Sequence, residues 1–102
     1  MPRLIALYDH PEDPAAFDAH YRSVHAPIVE RYPNLRDVRL TTPTGVGGRP
    51  APYHLMAEMA FDTMDDLEAA LGSDAGAESA RDLRNFASAG VRLFIAPDEA
   101  DA

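Results

Sequence analysis

The chain has 102 residues, 46% of them hydrophobic, and a formal net charge of −8, so we expect one domain and no nucleic acid partner. The apolar run near the first residues is too short for a signal peptide, so we expect a cytoplasmic location. All nine basic residues are arginine and there is no cysteine, so Schiff-base, thiolate and disulfide chemistry are excluded. No apolar run approaches the roughly 18 residues of a membrane span, so we expect no membrane contact.

The first third of the chain predicts a strand followed by an interrupted helix. Residues 4–8 form a short apolar run, typical of a strand covered on both faces. Asp13 followed by Pro14 is typical of a helix start. Pro27 lies inside the helical pattern and has no backbone N–H, so we expect a kink or a restart near His25-Ala26. The predicted apolar stripe of this helix comprises Phe17, Tyr21, Val24, Ile28 and Tyr32.

The rest of the chain predicts three further strands and two helices. Residues 35–42 and 53–61 alternate as strands do, and the glycine- and proline-rich residues 43–52 between them predict a mobile surface loop. Thr63 starts a short helix, Ser73 starts a longer one, and residues 91–96 form the last strand. The longer helix is predicted to face inward with Ala77, Ala80, Leu83 and Phe86 or Ala87.

This order of elements predicts an α+β fold of the ferredoxin-like βαββαβ type, a four-stranded antiparallel sheet with helices on one face. The domain is expected to span residues 1–97, followed by an acidic tail at 98–102. The sheet face without helices keeps an apolar set that includes Met56 and Ala60. A second copy of the chain is the simplest cover for that face, so we expect a homodimer.

Several separated segments carry a resemblance to a known family. Residues 8–17 (YDHPEDPAAF), 21–27 (YRSVHAP) and 32–35 (YPNL) resemble the first half of EthD-like proteins. Residues 53–62 (YHLMAEMAFD) and 82–87 (DLRNFA), with Gly90-Val91, resemble the family's third strand, last helix and last strand. The resemblance implies a dimeric α/β barrel. It also implies a setting such as ether catabolism or aromatic polyketide pathways, where other members occur.

Three residues are the candidates for catalysis. His25 lies at the edge of the helical stripe, where it would look toward the sheet, and a histidine in a dry pocket can exchange a proton near neutral pH. His25-Ala26-Pro27 also matches the family's His-x-Pro position. Tyr8 and Tyr21 are predicted to present phenols to the same cavity. The alternative is that His25 only hydrogen-bonds across the helix–sheet layer and that both tyrosines are core aromatics.

Four residues are predicted to bind substrate. His54, Met56 and Glu58 share, by alternation, the face of the third strand opposite Leu55, which in a dimeric barrel points into the barrel. Glu58 is either a base or, as we favour, a salt-bridge partner of Arg39 or Arg92. Ile28 is the fourth residue predicted to bind substrate, and it lies on the apolar stripe of the helix that has His25 at its edge.

The remaining polar patterns favour no metal and no cofactor. His20 and His25 are five residues apart and so do not share a helix face as a metal-binding pair. No histidine follows His54, whereas related barrels that bind haem use a C-terminal histidine. No serine lies in an elbow motif, so spacing assembles no Ser–His–Asp arrangement.

Two classes of function fit these residues. The first is a cofactor-free enzyme that acts on a small apolar or aromatic compound. It would be a monooxygenase-like oxidoreductase, or an acid–base catalyst of isomerisation, cyclisation or dehydration. The second is a non-catalytic dimeric module that binds a ligand or supports a separate oxidase.

Overall fold

Helices cover one face of a four-stranded antiparallel sheet in the computed structural model, which describes residues 1–98. The strands follow the order β2-β3-β1-β4, which is the ferredoxin-like arrangement, so the predicted fold class is confirmed. Of the predicted acidic tail, residues 99–102 lie outside the described part, and the predicted domain boundary stays a prediction. The elements are β1 (Arg3–Asp9), α1 (Pro14–His20), a π-helical segment (Tyr21–His25), α2 (Ala26–Glu30), β2 (Asp37–Thr41), β3 (Tyr53–Ala60), α3 (Met64–Leu71), α4 (Asp74–Phe86) and β4 (Val91–Ala96).

The predicted helix starts are confirmed by side-chain caps. The backbone N–H of Ala16 donates to Asp13 Oδ1 at 3.1 Å, and Pro14 occupies the first helical turn. Thr63 and Ser73 cap α3 and α4 in the same way. Within residues 1–98 no helix is both long and apolar enough to cross a bilayer.

The predicted interruption near His25-Ala26 takes the form of a π-helical turn. The backbone N–H of Ala26 donates to the carbonyl of Tyr21, five residues earlier, and α2 then begins with Pro27 in its first turn. A π turn holds one residue more than an α turn, so it shifts the phase of every side chain after it. Val24 is therefore 41% exposed while His25 is only 3% exposed. The predicted stripe is wrong at Val24 for this reason.

A bulge in the central strand pair moves His54 from its predicted face. Tyr8 pairs with Leu55 and Asp9 with Tyr53, which leaves His54 as the additional residue of β3. Its Nε2 lies 2.8 Å from Asp18 Oδ1 of α1, on the side of the helices. The prediction that His54 shares a face with Met56 and Glu58 is therefore wrong, because strict alternation does not hold through a bulge.

Candidate functional site

A cavity of about 400 Å³ lies between the sheet and the helices, a size that suits a small organic ligand. Its walls are mostly apolar and include Leu4 of β1, Met59 of β3 and Leu93 of β4. No Asp, Glu or Arg is among the described residues that line it. The polar groups at its wall are His25, Ser79 and the tyrosines Tyr8, Tyr21 and Tyr32.

His25 is the last residue of the π-helical turn, and two side chains of α4 position its ring. Its Nδ1 lies 2.9 Å from Asp82 Oδ2, and its Nε2 lies 3.4 Å from Ser79 Oγ. An ionised carboxylate can only accept a hydrogen bond, so Nδ1 carries the proton and donates a hydrogen bond to Asp82. The lone pair of neutral His25 is then on Nε2, which faces the hydroxyl of Ser79.

Asp82 is held as a carboxylate by three donors. His20 Nε2, His25 Nδ1 and Asn85 Nδ2 donate to it at 2.9, 2.9 and 3.0 Å. Burial alone would raise the pKa of Asp82, but the hydrogen bonds from Asn85, His20 and His25 outweigh it and hold that pKa below its usual value. A negative charge therefore lies beside His25 at neutral pH.

The pKa of His25 is lowered by burial, although the hydrogen bond and charge of Asp82 oppose that shift. A histidine with a lowered pKa is neutral at pH 7, so Nε2 is free to accept a proton. Asp82 then stabilises the imidazolium that forms. This pairing is the arrangement by which a carboxylate orients a histidine base.

The predicted tyrosines lie beside His25. The ring centroid of Tyr21 is 5.3 Å from that of His25 and 5.8 Å from that of Tyr8. Burial raises the pKa of Tyr8 above its usual range and that of Tyr21 to about 12. Both phenols are therefore neutral hydrogen-bond donors near neutral pH rather than bases. The structure thus brings His25, Tyr8 and Tyr21 to one cavity, and Tyr32 joins them there without having been predicted.

The residues predicted to bind substrate do not line this cavity. Met56 and Glu58 lie on the sheet face away from the helices, where they pair with Leu7 and Ile5. Glu58 Oε1 accepts a hydrogen bond from Arg3 at 3.0 Å, so its salt bridge exists but the predicted partners were wrong. Ile28 is buried outside the cavity wall, because the π turn places Val29 there instead. His54 lines a separate surface pocket under the 43–52 loop.

Two residues of α4 were missed by the sequence analysis. The helix turns Ala75, Ser79, Asp82 and Phe86 inward. Of the predicted inward residues, Ala77 is exposed, whereas Ala80, although exposed, lines the cavity together with Leu83. Sequence spacing assembled no Ser–His–Asp arrangement, but the fold brings Ser79, His25 and Asp82 into contact. The four inward residues are spaced by four, three and four positions, as on one face of a helix, and this spacing could have predicted the buried face of α4. A search for hydrophobic residues alone does not find it, because Ser79 and Asp82 are polar.

Among residues 1–98, no group of three or more His, Cys, Asp or Glu side chains is arranged to hold a metal ion. The polar groups of the cavity wall are instead one imidazole, one serine hydroxyl and three phenols. Such groups can donate and accept hydrogen bonds, and an imidazole can also exchange a proton near neutral pH.

Two more distant solved structures share the fold. SnoaB from Streptomyces nogalater, a cofactor-independent oxygenase, is 16% identical with a TM-score of 0.67, over 98% of this chain and 93% of that one. A dimeric ferredoxin-like protein from Thermobifida fusca is 11% identical with a TM-score of 0.70, over 94% of this chain and 89% of that one. At these identities the likeness shows the fold alone.

Closer relatives define the family. An uncharacterized 11.0 kDa protein in the thcB–thcC intergenic region of Rhodococcus erythropolis is 34% identical, over 97% of this chain and 96% of that protein. The crystal structure of an EthD family protein from Bacillus halodurans is 38% identical with a TM-score of 0.89, over 97% of this chain and 99% of that one. The EthD domain profile matches residues 9–90. The profile match covers most of the chain, and the sequence identities and the shared fold agree with it. The chain therefore belongs to the EthD family.

Proposed function

We propose that the protein binds a small, largely apolar or aromatic molecule in its cavity and that His25 acts there as a cofactor-free general base. One observation carries the proposal. His25 lines a cavity whose described lining residues include no Asp, Glu or Arg, and its Nδ1 is held at 2.9 Å by the buried Asp82. A neutral imidazole with Nδ1 oriented by a carboxylate and Nε2 unprotonated, 3.4 Å from the Ser79 hydroxyl, is equipped to take a proton.

The chemistry begins with proton removal from the substrate. Nε2 of His25 takes a proton from an O–H or an activated C–H bond, and Asp82 stabilises the imidazolium. Tyr8 and Tyr21 hold their protons, so each can donate a hydrogen bond to an oxygen on which negative charge develops. The mostly apolar walls lower the local polarity and so strengthen both interactions.

Two reactions follow from such an anion. In an isomerisation, cyclisation or dehydration, His25 returns its proton to another atom of the molecule or to the leaving oxygen. In an oxygenation, the electron-rich anion reduces O₂ directly, so that a CH₂ group becomes C=O and the second oxygen atom leaves as water. We favour oxygenation, because SnoaB shares the fold and is a cofactor-independent oxygenase.

We also propose that the protein is a homodimer. The sheet face without helices carries Ile5, Leu7 and Met56, and Phe94 beside Ile5 is 46% exposed. The Thermobifida fusca protein of the same fold is dimeric, which supports this assignment. Cytoplasmic location stays a prediction.

A non-catalytic binding module is the second candidate function. The walls of the cavity are predominantly apolar, as in proteins that bind a ligand without transforming it. In that case the His25–Asp82 pair fixes the packing of α4 on the π-helical turn and touches the ligand without reacting.

A thermal-shift screen followed by turnover tests the proposal. The panel comprises phenols, quinones, polyketide-like aromatics and small ethers. A ligand at one hundred times its dissociation constant adds about 2.7 kcal/mol of stability. His25→Gln is the test variant. His10→Gln is the control, since His10 is exposed and bonds only the carbonyl of Ala51.

Ligands that stabilise the wild type then enter oxygen-uptake and isomerisation assays. We expect turnover by the wild type and by His10→Gln, and at least a hundredfold lower kcat in His25→Gln with binding retained. Binding without turnover in all three proteins favours the binding module. A panel in which no compound binds the wild type would remove the proposal.

A further inference from the structure

Two histidines on different sides of the helix layer share the carboxylate of Asp82. His20 Nε2 lies 2.9 Å from Asp82 Oδ1 and 3.1 Å from Oδ2. His25 Nδ1 lies 2.9 Å from Oδ2 of the same group. The proposed function uses His25 and Asp82 and assigns no role to His20.

The two imidazoles face different environments. His25 is 3% exposed and lines the inner cavity. The side chain of His20 is 26% exposed and lines an outer cleft of about 530 Å³ that contains none of the inner cavity's residues. Phe86 lies against both rings, with centroids 5.1 Å from His20 and 4.7 Å from His25. Solvent protons therefore reach His20 without passing through the cavity.

The charged groups around the pair are few and all negative. Both rings contact Asp82. The outer cleft that holds His20 is lined by Glu12 and Asp13 from the segment before α1, and by the neutral Asn85 of α4. His25 faces Asp82 and Ser79 of α4, the ring of Tyr21 and the uncharged cavity with Tyr8 of β1. No arginine lines either the cavity or the cleft among the residues described.

One carboxylate serving two imidazoles couples their protonation. When His20 takes a second proton, its positive charge lies beside Asp82 and opposes a further positive charge on His25. When His20 is neutral, the full charge of Asp82 is available to stabilise the imidazolium of His25. The neutral side chain of Asn85 cannot substitute for this effect, because it carries no titrating proton.

We propose that His20 is a positioning residue that sets the proton affinity of His25 through the carboxylate they share. Its catalytic meaning rests on the proposed function of His25. The coupling itself is a property of the folded protein and can be measured without a substrate. Failure of the coupling and failure of the proposed function are therefore separate outcomes.

The test is an NMR pH titration of the protein with ¹⁵N-labelled histidine, followed at the ring nitrogens of His25. His20→Gln is the central variant, because its amide still donates to Asp82 but takes no proton. We expect the His25 midpoint to rise by roughly 0.5 to 1 unit in this variant, because a neighbouring side chain that can carry positive charge is removed. The acid limb of any pH–rate profile should move by the same amount.

His54→Gln is the matched control. His54 also bonds a carboxylate through Nε2, at 2.8 Å from Asp18, but it has no contact with Asp82. We expect the His25 midpoint to be unchanged in this variant. An equal shift in both variants overturns the proposal, because the effect would then not pass through Asp82.

Three further results would also overturn it. One is a His25 midpoint in His20→Gln within about 0.2 unit of the wild type. Another is a His25 signal that stays neutral in both proteins down to acid unfolding. If His20→Gln does not fold, the wild type alone decides, since coupling requires the His25 curve to depart from a single independent protonation step. A His25 curve with one independent step then rejects the proposal.

Discussion

Nδ1 of His25 donates to Oδ2 of Asp82 across 2.9 Å, although the two residues are 57 positions apart in the chain. The bond joins the π-helical turn to α4 at the wall of the cavity. Both side chains are nearly fully buried. The same contact therefore orients the candidate base and holds two helical elements together, so it should be visible in stability as well as in function.

Asp82→Asn should destabilise the protein by about 2 kcal/mol, because the hydrogen bonds of a buried carboxylate to three donors are weakened or lost. Urea unfolding followed by circular dichroism measures the change. Asp18→Asn is the control, since Asp18 is half exposed and accepts from His54 alone. It should cost about 1 kcal/mol or less. An equal decrease in the free energy of unfolding in the two variants would mean that the carboxylate of Asp82 stabilises the fold no more than that of Asp18.

Stability should fall as the pH is lowered from 7 to 5. The folded-state pKa of His25 is below the unfolded value of about 6.5, so the unfolded chain binds more protons between these two values. The contribution of neutral His25 is complete above about pH 6.5 and decreases below it by up to about 1.4 kcal/mol per pH unit. Asp82 has a lowered pKa, so its own contribution is present above pH 4 and is lost only in stronger acid.

His25→Gln separates the contribution of His25 from those of other groups. Glutamine does not titrate, so the free energy of unfolding should depend less on pH between 7 and 5 than in the wild type. The measurement is urea unfolding at half-unit pH steps. An identical slope in the two proteins would show that His25 titrates alike in the folded and unfolded states.

Gly76→Ala should destabilise the protein by about 1 to 3 kcal/mol. A Cβ at this position of α4 would meet the carbonyl of Ala70 and lie 2.6 Å from that of Leu71, and backbone atoms cannot move aside cheaply. Gly72→Ala is the control. Gly72 lies in the short link between α3 and α4, and a Cβ there would have its nearest neighbouring atom 3.6 Å away. Thermal unfolding should show a lower Tm for Gly76→Ala and little change for Gly72→Ala. A normal Tm for Gly76→Ala would contradict this close approach of α3 and α4.

Local chemistry along the chain predicted the elements well. Asp13, Thr63 and Ser73 cap helices in the structure because an N-cap depends only on residues within one turn. Pro27 predicted the interruption because its missing N–H removes a helical hydrogen bond whatever the surroundings. The order of the elements then left few topologies, and the ferredoxin-like arrangement was the simplest of them.

The sequence by itself thus determined the fold class, the helix starts and three polar residues of the cavity wall, His25, Tyr8 and Tyr21. Only the tertiary structure decided that Asp82 and Ser79 turn inward, because a polar residue on an amphipathic helix looks solvent-exposed until its partner is known. Only the tertiary structure likewise showed the π turn that exposes Val24 and the bulge that moves His54 to the opposite face of the sheet. Each adds one residue to an element for which the sequence analysis assumed a regular period. Periodicity is local, whereas the pairing of a buried charge depends on residues that only the folded chain brings together.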